Sequence, residues 1–182
     1  TPQLTLETGT TDVLVDYSSG TGTNVLTFNY TVAEGHVSSD LDYTATNALG
    51  LNSGTIQDGA GNNAILTLAA PGETNSLAAS ADIQIDAQAP TILSVSSTAE
   101  NGYYNAGDLI PIIVSFSETI NVVNPITLSQ IVNITLETGE NDIAINYASG
   151  TGTSNLTFNY IVSAGHTSND LDYISTNALT LN

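Results

Sequence analysis

Carboxylates are the one class of side chain in this sequence dense enough to do chemistry. The 182 residues carry 18 Asp and Glu, two His, and no Lys, Arg, Cys, Met or Trp, giving a formal net charge of -18. The acids fall into short patterns. Asp40-x-Asp42 and Asp170-x-Asp172 each follow a Gly-His pair (Gly35-His36 and Gly165-His166), and Asp58 opens an Asp-Gly-Ala-Gly-Asn turn. Glu100, Asp108, Glu118 and Asp86 flank apolar runs. A calcium ion takes six to eight oxygen ligands, mainly carboxylates and carbonyls. Where acids gather without a cationic side chain, a bound divalent cation is the most economical counter-charge. The candidate metal ligands are therefore Asp58, Asp86, Glu118, Asp170 and Asp172 at one domain junction, Asp40 and Asp42 at the one before it, and Glu100 and Asp108 at the one after. The competing reading is a solvated acidic surface that keeps the protein soluble.

The remaining chemistry is thin. His36 and His166 could serve zinc or a pH switch, although a single loop histidine per repeat is more often simply polar. Ser38, His36 and Asp40 have the residue types of a hydrolase triad, but they crowd one loop and no nucleophile elbow accompanies them. No catalytic residue is nominated, and the expectation is that the protein is not an enzyme. Tyr103-Tyr104 is an adjacent aromatic pair that could stack on a sugar. The sequons Asn29-Tyr-Thr31, Asn133-Ile-Thr135 and Asn155-Leu-Thr157 lie within candidate strands. Composition excludes more than it proposes. Without Lys or Arg the chain cannot neutralise phosphates by counterion release or dock on anionic lipid. Without Cys it has no disulfide, thiolate nucleophile or cysteine-based metal site. No apolar run is long enough to cross a membrane as a helix.

An internal repeat governs the elements that must position these residues. Residues 5–52 align without a gap on 135–182 at an offset of 130, with about two-thirds of positions identical. A period of that size is a whole domain rather than a small solenoid unit. On this reading residues 1–86 are the C-terminal part of one repeat and 87–182 the N-terminal part of the next, a window on a longer tandem array. Within each copy apolar residues alternate, as in Val13, Val15 and Tyr17, then Leu26, Phe28, Tyr30 and Val32, with Ser-Gly-Thr-Gly-Thr between them. That pattern predicts a hairpin. Further strands are expected at 47–57, 64–69, 82–86, 91–97, 109–117 and 133–138, and no stretch has a helical period. Hydrophobic residues at 41% suffice for a core. Short strands and regular turns predict an all-β chain of tandem antiparallel sandwiches. Counting strands as alternately descending and ascending places Glu118 and the 166–172 loop at the same end of their domain, and Asp58 and Asp86 at the facing end of the preceding one.

The phrases TPQLTLETG (1–9), LTFNYTV (26–32), SDLDY (39–43), TIQDGAGNNAILTLAAPG (55–72), IDAQAPTI (85–92) and NAGDLIPIIVSFSE (105–118) resemble the tandem immunoglobulin-like repeats of very large bacterial surface and adhesin proteins. The resemblance spans essentially the whole chain. It implies an immunoglobulin-like sandwich, an extracellular or cell-surface location, and a stalk or fibre role with no catalytic residues. The complete lack of Lys and Arg departs from that family's usual composition. The expected partners are neighbouring repeats or subunits joined end to end. The rival readings are a fibril subunit joined by strand exchange and a glycan-binding module.

Overall fold

The computed structural model describes residues 1–123 and 132–181, and all of its regular structure is β. The chain divides into two compact units, Thr1–Ala89 and Pro90 onward. Each is antiparallel and sandwich-like, the class predicted from the short alternating strands.

Unit 1 contains β1 (Gln3–Leu6), β2 (Val13–Ser19), β3 (Thr27–Phe28), β4 (Val37–Ser38), β5 (Leu49–Gly50) and β6 (Ile85–Asp86). Its main sheet has the order β3-β2-β1-β5, and β4 pairs separately with β6. Unit 2 contains β7 (Ile92–Ser97), β8 (Leu109–Ile120), β9 (Val132–Leu136), β10 (Ile143–Ser149), β11 (Thr153–Ile161) and β12 (Leu179–Leu181), in the order β12-β9-β10-β11-β8-β7. Four strands recur at the repeat offset in the same registers. Leu4 faces Val15 as Ile134 faces Ile145, and Tyr17 faces Phe28 as Tyr147 faces Phe158, each hairpin with a register shift just past the tyrosine.

The two-residue period accounts for the faces. In β2, Val13, Val15 and Tyr17 turn inward while Leu14, Asp16 and Ser18 are exposed, and β10 repeats the pattern. The Ser-Gly-Thr-Gly-Thr turn is built by its own side chains. Gly20 and Gly150 adopt φ of 117° and 115°, with the backbone of Val25 and Asn155 pressed against the place a Cβ would occupy. The Tyr17 hydroxyl accepts from the Thr21 amide, and the Tyr147 hydroxyl accepts from the Thr151 amide at 2.8 Å. The repeated Thr-Leu-Glu-Thr-Gly phrase closes the β1–β2 and β9–β10 turns. Thr8 and Thr138 are 1% exposed and donate to the carbonyls of Thr11 and Asn141 at 2.9 Å.

Each unit has its own core. Unit 1 buries Leu6, Val15, Leu41, Tyr43 and Ala48; unit 2 buries a larger set built on Ile112, Val114, Ile134, Leu136, Leu156 and Phe158. The asymmetry has a direct cause. In unit 2, β8 lies along the whole of β11, from Thr153↔Ile120 to Ile161↔Leu109. In unit 1, among the described residues, β3 is an edge strand of two residues, and Leu26, Phe28 and Tyr30 are only half-buried.

Three expectations change. The strands predicted at 47–57 and 64–69 do not form ladders. Only Leu49–Gly50 pairs, with a Gln57↔Asn63 bridge further on, and 64–69 is irregular chain tied to Thr46 through the Leu68 amide. The strand-direction count also fails. β11 is antiparallel to β8, and β10 and β9 reverse in turn, so β9 runs opposite to β8 rather than with it. The count carried one direction from 109–117 into 133–138, where the pairings reverse it. In unit 1 the pairing of Val37 with Asp86 brings the end of 82–86 to the 36–42 loop rather than to the opposite end.

Candidate functional site

Asp42 is the most constrained acid in the chain. It is 6% exposed, and its side chain accepts three backbone amides, two of them from the 72–77 stretch. Oδ1 accepts from the Tyr43 amide at 2.8 Å and the Leu77 amide at 3.3 Å, and Oδ2 accepts from the Gly72 amide at 2.9 Å. Burial alone would push its carboxyl up. The hydrogen bonds from Gly72, Tyr43, the Ser76 hydroxyl and Ala78 outweigh that, and hold it below the ordinary carboxylate value. Beside it, the Tyr43 hydroxyl donates to the Ala69 carbonyl at 2.7 Å. Burial and the negative charge of Asp42 raise the Tyr43 phenol above its usual value.

The group these two residues hold is the segment that follows the shared repeat. Leu68 donates to the Thr46 carbonyl at 2.8 Å, Leu41 donates to Ile83 at 2.7 Å, and Gly35 and His36 exchange backbone bonds with Ala87 at 2.8 and 2.9 Å. Leu68, Leu77 and Ile85 pack on the unit 1 core. Residues 68–87 therefore form a cover over the 35–48 stretch, with Asp42 as its latch. In unit 2 the equivalent stretch, 165–178, carries no such cover among the described residues. Asp172 is exposed and keeps the Tyr173 amide bond at 2.8 Å. Tyr173 is 38% exposed where Tyr43 is 7%.

The other nominated acids are placed as follows. Asp58 is engaged by its own turn, accepting from the Ala60 and Asn62 amides at 2.9 Å and from Asn62 Nδ2 at 2.8 Å. The side-chain and backbone bonds of Asn62, followed by those of Ala60 and Gly61, lower its carboxyl below the usual value. Asp40 Oδ1 accepts from Ile83, and Asp86 Oδ1 from Gln88, both at 3.4 Å. Asp108 caps a turn through the Asn105 amide at 2.7 Å. Glu100 contributes its main-chain carbonyl to the Tyr104 hydroxyl at 2.6 Å. Asp170 is exposed, and its carbonyl accepts from Ser168 Oγ.

The pairings separate acids that the direction count had grouped. Glu118 lies near the far end of β8, beside the 150–153 turn. The 166–172 loop lies past the end of β11, at the Leu109 end. Within unit 2, Glu118 and the Asp170/Asp172 pair are thus at opposite ends, and Asp108 is on the side of the pair. Within unit 1, Asp86 pairs with Val37, at the start of the stretch that leads to Asp40 and Asp42. Among the described residues no three His, Asp or Glu side chains converge in the manner of a metal site.

His36 and His166 have a shared structural setting. Tyr30 OH is 2.8 Å from His36 Nδ1 and Tyr160 OH is 2.8 Å from His166 Nδ1, with the rings stacked at 5.7 and 5.8 Å. The Ala33 and Ser163 amides also point at Nδ1, at 3.3 and 3.4 Å. With a main-chain amide donating to it, Nδ1 acts as an acceptor in both copies. Burial raises both Tyr30 and Tyr160 phenols. Tyr103 is fully exposed while Tyr104 is tied back to Glu100, so the aromatic pair splits rather than presenting one face.

The residues that sequence reasoning passed over are Thr8, Thr138, Ser76, Tyr17 and Tyr147, together with the covering role of 68–87. The verbatim recurrence of the Thr-Leu-Glu-Thr-Gly and Ser-Gly-Thr-Gly-Thr phrases was the signal for the first and last of these side chains. For Ser76 and the cover no sequence signal existed, because that segment occurs once. No family model, curated protein or solved structure matches this chain.

Proposed function

We propose that this protein is a structural tandem repeat, a load-carrying portion of a stalk or fibre in a bacterial extracellular surface or adhesin protein. The observation that carries the reading is the repetition of four strands in identical registers at a fixed offset, with a separate core in each unit. Such a chain extends reach by adding modules, and its stability is local to each module and its neighbours. Consistent with this, Asp42, Asp58, Asp108, Thr8 and Thr138 are spent on turns, caps and the latch.

Calcium at the domain junctions is the finer part of the proposal. Its support is the charge of -18 with no Lys or Arg. Within each unit the acids at one end are Asp40 and Asp86 in unit 1 and Asp108, Asp170 and Asp172 in unit 2, while Asp42 is occupied by backbone amides and Glu118 lies apart. Calorimetric titration of the full chain with calcium, alongside magnesium and sodium, tests it. The expected outcome is saturable heat with calcium at low stoichiometry. Heats that merely track ionic strength would leave the acids as a solvated surface. The stalk reading itself is tested by solution scattering on chains of increasing repeat number: the longest dimension should grow in proportion to copy number. A compact particle of constant aspect ratio would overturn it.

A further inference from the structure

The turn from β7 to β8 holds the one Asn-Gly dipeptide of the sequence, Asn101-Gly102. It lies outside both strands, and residues 100–108 are all exposed. The turn is pinned on either side of the dipeptide. The Ala99 amide donates to Ser97 Oγ at 3.0 Å, the Tyr104 hydroxyl donates to the Glu100 carbonyl at 2.6 Å, and the Asn105 amide donates to Asp108 Oδ2 at 2.7 Å. Between these pins, among the described residues, neither the Asn101 side chain nor the Gly102 amide has a hydrogen-bond partner. Apart from its chain neighbours, no heavy atom lies within 4 Å of the place a Gly102 Cβ would occupy. An asparagine before glycine sets an electrophilic amide carbon next to a backbone nitrogen that no side chain shields, and glycine lets the chain rotate one onto the other. Asp58-Gly59 is the internal contrast. There Oδ1 accepts from the Ala60 and Asn62 amides at 2.9 Å and Oδ2 accepts from Asn62 Nδ2 at 2.8 Å, so the turn holds the carboxylate in place.

We infer that Asn101-Gly102 is a self-modification site, at which the chain converts an exposed amide to a carboxylate without an enzyme. The Gly102 nitrogen attacks Asn101 Cγ and closes a five-membered imide. The side-chain nitrogen takes up the Gly102 amide proton and leaves as ammonia. Water then opens the imide at either carbonyl. One route leaves an aspartyl residue at position 101, the other an isoaspartyl residue whose backbone runs through the former side chain. The net change is one water consumed, one ammonia released and one negative charge added to a chain that already carries -18. The new charge falls beside Glu100 where no cationic side chain can relieve it. The isoaspartyl route also adds one backbone atom inside the loop that the Tyr104–Glu100 bond closes. Both changes loosen the same turn. The inference stands on this turn alone; neither the stalk reading nor calcium enters it.

The test incubates the folded full chain at mildly alkaline pH and maps it with an acid-specific protease, since the sequence offers no Lys or Arg to cut at. The expected result is a mass gain of about 1 Da confined to the peptide that contains Asn101, with aspartyl and isoaspartyl forms both present. Hydroxylamine, which traps the imide, should cut the folded chain between residues 101 and 102. G102A, which has room for its methyl group, should lose both signals. Asp58-Gly59 should form isoaspartate in urea and not in the folded chain. An Asn101 that persists in the folded chain, whether or not it converts in urea, overturns the proposal. Conversion of Asn52 or Asn75 as fast as Asn101 overturns it as well, because the reaction would then be a general lability rather than a property of this turn.

Discussion

At the scale of single residues, Asp42 shows that the acids of this protein are not interchangeable. Its carboxylate is buried, satisfied by the amides of Tyr43, Gly72 and Leu77, and held below its ordinary ionisation range. Because the folded-state value is depressed, the stabilisation is fully present above the unfolded carboxylate pKa of about 4 and is lost as pH falls through the lower folded value. Unit 1 should therefore loosen in acid, with the 68–87 cover releasing before the strands of the main sheet. D42N should destabilise unit 1 by about 2 kcal/mol at neutral pH, the scale of a charge-assisted hydrogen bond, and should flatten the acid dependence. Thermal unfolding of both proteins between pH 3 and 7 checks this; equal acid sensitivity in D42N would remove Asp42 as the cause. Asp172 is the natural control, because the corresponding loop carries no cover among the described residues.

At the scale of elements, a strand's neighbours decide what its sequence achieves. Leu-Thr-Phe-Asn-Tyr occurs at 26–30 and again at 156–160. In unit 2 the strand is flanked by β8, and Leu156, Phe158 and Tyr160 are 2, 0 and 3% exposed. In unit 1 the same residues are half-buried on a strand of two residues. Phe158→Ala should cost about 3–5 kcal/mol, as for a fully buried aromatic, and Phe28→Ala distinctly less. Denaturant unfolding of the two variants measures the difference; equal costs would mean that β8 contributes nothing to the packing of that face. The hairpin turns are the reverse case. Thr23 Oγ1 donates to the Gly20 carbonyl as Thr153 Oγ1 does to that of Gly150, because both partners lie within the turn, while Thr151 and Gly152 additionally bond Val122 and Ile120 in unit 2.

At the scale of the whole molecule, the charge acts as a uniform self-repulsion that no internal cation relieves. Monovalent salt should raise the unfolding midpoints of both units as it screens that repulsion, most steeply at low ionic strength where the screening length is about 30 Å. A scan of melting temperature against sodium chloride checks this, and a flat response would place the acids too far apart to interact. Calcium should exceed sodium at matched ionic strength if the junction proposal holds. Because the cores are separate, a destabilising change in one unit should move that unit's transition and leave the other in place.

Much of this protein is legible from its sequence because the information is local. Alternation along 13–17 and 143–147 sets which side chains turn inward, and Gly-rich turns set the hairpins. The recurrence at an offset of 130 sets the modular plan, and the absence of cationic side chains sets the electrostatics. Strand direction across the 118–132 connection, the failure of 64–69 to form a ladder, and the division of the acids into satisfied latches and exposed carboxylates were decided only by the tertiary structure. Each depends on which backbone groups from distant stretches meet, and identical sequence does not settle that. Asp42 and Asp172 sit in the same Leu-Asp-Tyr phrase, yet one is buried and the other bathed in solvent, because only the first has the amides of Gly72 and Leu77 folded over it.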